Sequence, residues 1–177
     1  MLSSILFILM LQVMNVDTIF DFTTTSNLDN WTVINDGVMG GRSFGSFSLS
    51  TEGHGVFKGT ISLENNGGFS SVRHRMASLE VSPNSKIRIK LKGDGSNYQF
   101  RVKNKIENRY SYIQPFRTTG EWEEIEIELS SMYPGFRGRR LDRPNFSHQT
   151  IEEITFLIGN KKAQGFKLLI DHITLVN

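Results

Sequence analysis

The sequence contains no cysteine. That absence excludes structural disulfides, thiolate catalysis and sulfur-built zinc sites. Proline is scarce, four in 177 residues, so no proline-rich linker divides the chain. A strong excess of one charge is also missing. Twenty Lys and Arg against 18 Asp and Glu leave a formal net charge of +2, too little to argue for nucleic acid. His54, His74, His148 and His172 stand far apart without ligand spacing, so neither a metal site nor a cofactor is expected. Asp171 with Asp21 is at most a candidate calcium pair, with nothing to fix further oxygen ligands. No stretch after residue 17 sustains a helical period, which leaves room for single turns only, near Leu129–Tyr133 or Thr150–Glu153.

There is one long apolar run, Leu2 to Met14. It is too short to span a bilayer comfortably, so no stable membrane span is expected. Residues 1–17 read either as an apolar leader like the core of a secretory signal, or as a first strand. No Lys or Arg precedes the run and no small-residue cleavage site follows it. The first basic residue is Arg42, so no Arg-rich mitochondrial presequence is evident. The expected location is the cytoplasm, or outside it if the leader is a signal.

What is abundant is period-two alternation. KIRIKL at 86–91 separates Ile87, Ile89 and Leu91 from Lys86, Arg88 and Lys90. EIEIEL at 124–129 does the same with Ile125, Ile127 and Leu129 against Glu124, Glu126 and Glu128. Roughly ten such segments occur, each closed by Gly, Asn, Asp, Pro or Ser clusters. The pattern predicts an all-β, single-domain jelly-roll sandwich over residues 18–177. In FKLLIDHITLV, Phe166, Leu168 and Ile170 have one parity and Ile173 and Leu175 the other. A bulge at Asp171–His172 would place all five on one face. The basic row of 86–92 and the acidic row of 122–129 are expected to be cross-strand neighbours on an outer face.

Two chemical motifs fail on context. GRSFG at 41–45 matches the serine-hydrolase elbow, but a strand pattern follows where the chemistry needs a helix, so Ser43 reads as a turn residue. The glutamates of 121–128 form a solvated row rather than a facing acid pair. No enzyme is expected. FRGRRLDR at 136–143 is locally basic, either a solvated loop or a contact for an acidic partner through Arg137.

Three strand patterns put polar or aromatic groups opposite the expected core parity: Ser71, Arg73 and Arg75; Gln99, Arg101 and Lys103; and Tyr112, Gln114 and Phe116. Arg73, Arg101, Tyr112 and Gln114 are therefore expected on one polar concave surface. Aromatics beside planar hydrogen-bonding groups suit a sugar ring or a protein partner. The alternative is a filled face whose arginines pair with Asp or Glu.

The tracts NDGVMGGRS, LENNGGFSSVR, LKGDGSNYQFRV, YSYIQPFRTTGEWEEIEI, FRGR and QGFKLLIDHI occur in this order. Together they resemble the complex I intermediate-associated protein family, over about residues 19–177. The resemblance implies a galactose-binding-like jelly roll without catalysis. It also implies an assembly or scaffold role toward a protein partner, such as a respiratory-complex assembly intermediate, with glycan binding as the alternative. Lacking an Arg-rich presequence, the chain reads as a free-standing, bacterial version of the domain. Within NDGVMGG, Val38 and Met39 are expected to fold back and plug the core, with Gly37, Gly40 and Gly41 supplying unusual conformations and Asn35 and Asp36 bonding to their own backbone. Asn35, Asp36, Asn65 and Asn66 would rim the binding surface.

Overall fold

The computed structural model describes residues 16–177, apart from the side chains of Val38 and Met39. The reading of Leu2–Met14 as a leader and the plug role of Val38 and Met39 lie outside the described residues. The chain forms β1 (Val16–Asp21), β2 (Trp31–Asn35), β3 (Phe44–Leu49), β4 (Gly55–Ile61), β5 (Ser70–Glu80), β6 (Lys86–Lys92), β7 (Asn97–Lys103), β8 (Ser111–Arg117), β9 (Trp122–Glu128), β10 (Tyr133–Phe136), β11 (Arg139–Arg140), β12 (Thr150–Ile158) and β13 (Gln164–Val176). They build two antiparallel sheets that pack as a jelly-roll β-sandwich. The back sheet has the order β3-β4-β13-β6-β9, with β1 also on β13; the front sheet has the order β11-β10-β8-β7-β12-β5-β2.

The alternation seen in the sequence fills the space between them. Ile87, Ile89, Leu91, Leu168, Ile170, Ile173 and Leu175 come from the back sheet, and Val72, Phe100, Ile154, Phe156 and Ile158 from the front, all fully buried. Each such side chain contributes about 1.5–3 kcal/mol relative to exposure. The register of β13 slips between Ile170 and His172, so Asp171 is the expected bulge, and Phe166, Leu168, Ile170, Ile173 and Leu175 are all buried. The slip also lets β4 pair with the first half of β13 and β1 with the second.

The charged rows meet as expected. Lys86 lies opposite Glu128, Arg88 opposite Glu126 and Lys90 opposite Glu124. A single-turn 3-10 helix occupies Leu129–Ser131, one of the two expected places. The other expectation is corrected, because Thr150–Glu153 is the start of β12. Laddered on β5 through Thr150, Ile151 and Glu153 and joined to β7 from Glu153 onward, this segment gains more from sheet pairing than from an isolated turn. Two further 3-10 turns, Asp36–Met39 and Glu64–Asn66, lie in the glycine-rich loops.

Candidate functional site: the outer face of the front sheet

Strand β12 runs through the middle of the front sheet, with β5 on one side and β7 on the other. Register decides which side chains share its outer face. Thr155 is opposite both Arg73 and Arg101, and Glu153 is opposite both Arg75 and Lys103. Arg101 in turn faces Ile113, which faces Tyr133. The result is four cations around a single carboxylate.

The centre of this face is sunken. Glu153 is 1% exposed and Thr155 5%, although both point away from the core. The loop after β7 is pinned beside it: Glu152 accepts from Lys105 Nζ at 2.7 Å and from the Ile106 amide at 3.0 Å. Lys103 Nζ donates to the Ile106 carbonyl at 3.3 Å.

The charges are not balanced within the face. Arg75 Nε donates to Glu153 Oε2 at 3.3 Å. Arg101 donates to an uncharged acceptor, Gln99 Oε1, at 3.0 and 2.5 Å. Arg73 has a buried Nε without a hydrogen-bond partner. Burial pulls the Arg101 guanidinium down to about 10; Tyr133 counters this in part and Arg73 adds to it. Burial also lowers Lys103; Glu153 opposes the shift, while Arg73 and Arg75 reinforce it. A group that is desolvated and crowded by like charge is poised to gain from an added anion.

Not all the residues expected on this surface are there. Arg73 and Arg101 are, one strand to either side of Thr155. Tyr112 and Gln114 are not: they pair with Val102 and Phe100, on the core side of β8. The expected parity of this strand is reversed. Tyr112 and Phe116 find aromatic partners inward, in Phe146 at 5.1 Å and Tyr98 at 5.9 Å. Ile113 is buried on the outer side, with its Cδ1 packed against Gly135 of β10. The Tyr112 hydroxyl is engaged with His148 Nε2 at 2.7 Å, and burial pushes its phenol up. Gln114 Oε1 accepts from Ser131 Oγ at 3.2 Å. Glu153, Thr155 and Tyr133 are on this face without being among the residues expected there. The alternation Glu153, Thr155, Leu157 against Ile154, Phe156, Ile158 carried the signal for the first two.

The loop residues turn out to be joints. Asp36 is buried, its Oδ1 accepting from Ser43 N at 3.0 Å and its Oδ2 from Gly68 N at 2.6 Å and Phe69 N at 3.3 Å. Burial raises the carboxyl, but hydrogen bonds from Ser43, Gly68 and Phe69 outweigh it and hold it below the usual range. Asn35 Oδ1 accepts from Gly45 N at 3.0 Å and Ser70 Oγ at 2.6 Å. Neither side chain bonds to its own turn; each ties separate segments together. The adjacent glycines are required by close approach: a Cβ on Gly41 would stand 2.3 Å from the Asp36 carboxyl, and one on Gly67 2.6 Å from its Oδ2. Gly40, at φ +86°, is the one residue of NDGVMGG that needs a left-handed backbone. Asn65 and Asn66 have φ of 55° and 60° and are exposed, and Asn65 Nδ2 donates to the Gly40 carbonyl at 3.0 Å, so the two loops touch.

Arg137, at φ 48°, forms with Gly138 the two-residue turn between β10 and β11. Its guanidinium lies 5.3 Å from the Phe136 ring, and that of Arg140 lies 4.9 Å from the Tyr133 ring. Ser43 sits between the Asp36 turn and β3, its Oγ accepting from Ser62 N at 3.0 Å and donating to Ser62 O at 3.2 Å. Neither the strand–turn–helix nor a free hydroxyl of a hydrolase elbow is present there. Asp171, the calcium candidate, has its two oxygens beside His54 Nδ1 at 3.1 Å and His172 Nδ1 at 2.9 Å. No helix among the described residues is long and apolar enough to cross a membrane.

Comparison with known proteins agrees with this architecture. Two solved structures of family 11 carbohydrate-binding modules from Clostridium thermocellum share the fold. One, in complex with a β-1,3-1,4-mixed-linked tetrasaccharide, is 19% identical, with a TM-score of 0.68 over 90% of this chain and 94% of that one. The other, from the cellulosomal cellulase Lic26A-Cel5E, is 17% identical, with a TM-score of 0.70 over 93% and 95%. In sequence, the chain is 24% identical over 184 residues to the Drosophila melanogaster mitochondrial complex I intermediate-associated protein 30. The match covers 90% of this chain and 62% of the relative's length. The model of the complex I intermediate-associated protein 30 family matches residues 20–170. The chain belongs to this family.

Proposed function

We propose that the chain is a non-catalytic binding domain that acts as an assembly or scaffold factor, holding a protein partner on the outer face of its front sheet. The carrying observation is the set of four cations around Glu153, one of them with a buried, unpartnered Nε. Desolvated guanidinium groups at the centre of a patch are typical anchors of protein interfaces. The family's name makes a respiratory-complex assembly intermediate the first partner to test. Purified domain is used to capture proteins from native cells, with Arg73→Gln/Arg101→Gln run in parallel. The expected result is a specific partner held by the wild type and lost by the double variant. Equal capture by both would refute this face as the contact.

A second reading, glycan binding, rests on a different place. A cleft of about 430 Å³ at one end of β7 and β8 is lined by Asn97, Gln99, Pro115, Phe116, Arg117 and Asn160. Amides beside an aromatic ring suit a sugar. The sunken face suits it less: Tyr112 faces the core and the Tyr133 ring has Arg140 over it, so among the described residues no open aromatic platform lies beside the arginines. A glycan array with wild type and Phe116→Ala separates this reading from the first.

A further inference from the structure

Three arginines among the described residues are partly buried, Arg73, Arg88 and Arg101. Arg42, Arg75 and Arg88 lie within 4.0 Å of a carboxylate. Arg73 and Arg101 do not, although each is partly buried on the sunken face. Placing a guanidinium out of water without a counter-charge is unfavourable, and a pair of them more so. Thr155 between them is small, and adjacent strands stand about 4.8 Å apart, which sets the two arginine Cα atoms about 10 Å apart across β12. Two guanidinium groups at that spacing reach one carboxylate held between them, each with a planar fork that matches its oxygens.

We infer that the sunken outer face of the front sheet is a receptor for an acidic segment of a protein partner, with one carboxylate seated over Thr155 between Arg73 and Arg101. This deepens the protein-binding reading and rests on it. Beyond that seat, Lys103 offers a second cation on the same strand as Arg101. On the other side, Tyr133 carries Arg140 at 4.9 Å toward the edge hairpin. A segment with acidic residues spaced along an extended backbone would meet cations at both ends. Glu153, buried between Arg75 and Lys103, sets a limit to the seat, because it repels a carboxylate placed directly over it. A nucleic acid fits less well, since the opposite outer face carries an exposed acidic row and the net charge is only +2. A neutral sugar fits less well because it leaves the guanidinium charge unmatched.

The test uses the full chain and a synthetic octa-glutamate peptide, with octa-glutamine and an oligogalacturonate of similar length as controls. Binding is followed by fluorescence anisotropy at low and high salt, and the arginine Nε–H resonances by NMR. Octa-glutamate is expected to bind, to weaken as salt rises, and to shift the Arg73 and Arg101 Nε–H signals. Octa-glutamine is expected not to bind. Arg73→Gln and Arg101→Gln should each weaken binding roughly tenfold, the effect of losing one hydrogen bond to a charged group, with the thermal midpoint unchanged. Lys92→Gln on the opposite outer face should change nothing. The inference is overturned if octa-glutamate shifts only the 137–143 hairpin arginines, if the variants bind like wild type, or if oligogalacturonate binds this face more tightly than the peptide. Failure here with a partner still captured from cells by the double variant would remove the acidic seat and leave a protein-binding role elsewhere on the domain. Peptide binding at this seat with no partner captured would do the reverse.

Discussion

The two outer faces of the sandwich handle charge in opposite ways. On the back sheet, basic β6 lies beside acidic β9, and the ions answer one another: Lys86 Nζ to Glu126 Oε1 at 2.6 Å, Arg88 Nε to Glu126 Oε2 at 2.9 Å, and Lys92 Nζ to Glu121 Oε2 at 3.6 Å. On the front sheet, Arg73, Arg75, Arg101 and Lys103 share Glu153 alone. The first arrangement is paired within the chain at Lys86, Arg88 and Lys92 and is open to water, where such pairs are weak and salt-screened. The second is incomplete and partly out of water, where unmatched charge is costly. An incomplete set of charges points to something outside the chain that completes it.

The largest effect should come from removing the joint on which both faces depend. Asp36 follows β2 of the front sheet, holds the amide of Ser43 ahead of β3 of the back sheet, and holds Gly68 and Phe69 ahead of β5. Asp36→Ala orphans three backbone donors at about 1–3 kcal/mol each, so a loss of about 3 kcal/mol or more is expected. For a domain of this size that lowers the thermal midpoint by roughly 6–12 °C. A midpoint within a degree or two of wild type would show that the two sheets are held together elsewhere. Next comes Glu153→Gln, which leaves four cations with no counter-charge. A loss of about 2 kcal/mol is expected from urea unfolding, and adding Lys103→Met should recover part of it. A double-mutant cycle with no coupling would break the electrostatic account of this face.

The back face was legible in the sequence and the front face only in part, for a physical reason. Strand β6 has one dry side and one wet side, so Ile87, Ile89 and Leu91 separate cleanly from Lys86, Arg88 and Lys90, and the acidic row of β9 names its neighbour. Strand β8 has both sides covered. Tyr112 and Phe116 pack inward while Ile113 is buried outward, so alternation of polarity no longer tells in from out, and it points Tyr112 and Gln114 to the wrong side. Asp36 was out of reach for another reason: its partners are 7, 32 and 33 residues away, and only folding brings them together. The glycines at 41 and 67 were visible as turn residues, but not as room left for a carboxylate.

Smaller effects sharpen the contrast. Glu126→Gln removes the negative charge shared by Lys86 and Arg88 on the open back face, and about 0–1 kcal/mol should be lost. The loss should shrink as salt rises, and one that persists in concentrated salt would mean that the back ladder is not screened. Arg73→Met takes away a guanidinium that has no carboxylate, and stability should stay within about 0.5 kcal/mol of wild type or rise. A clear destabilisation would mean that Arg73 has a partner within the fold, and the two faces would then be alike in kind.

Acid supplies the last and smallest difference. The hydrogen bonds from Lys86 and Arg88 hold Glu126 below its ordinary value of 4.5. A carboxyl depressed in the fold contributes stability that is fully present above its unfolded pKa and is lost as pH falls through its folded one. The stability difference between wild type and Glu126→Gln should therefore be constant above pH 4.5 and vanish on acidification below it. At that point the back face has lost its answering carboxylate and resembles the front. The difference between wild type and Arg73→Met should show a smaller acid limb, because Arg73 has no carboxylate of the described residues within salt-bridge distance and pairs with Thr155, two residues along β12 from Glu153. Urea unfolding of the three proteins from pH 7 to pH 3 measures both curves. An acid limb of equal size in the Arg73 difference would tie that arginine to a titrating carboxylate, and the unpaired charge on the front face would no longer call for an external anion.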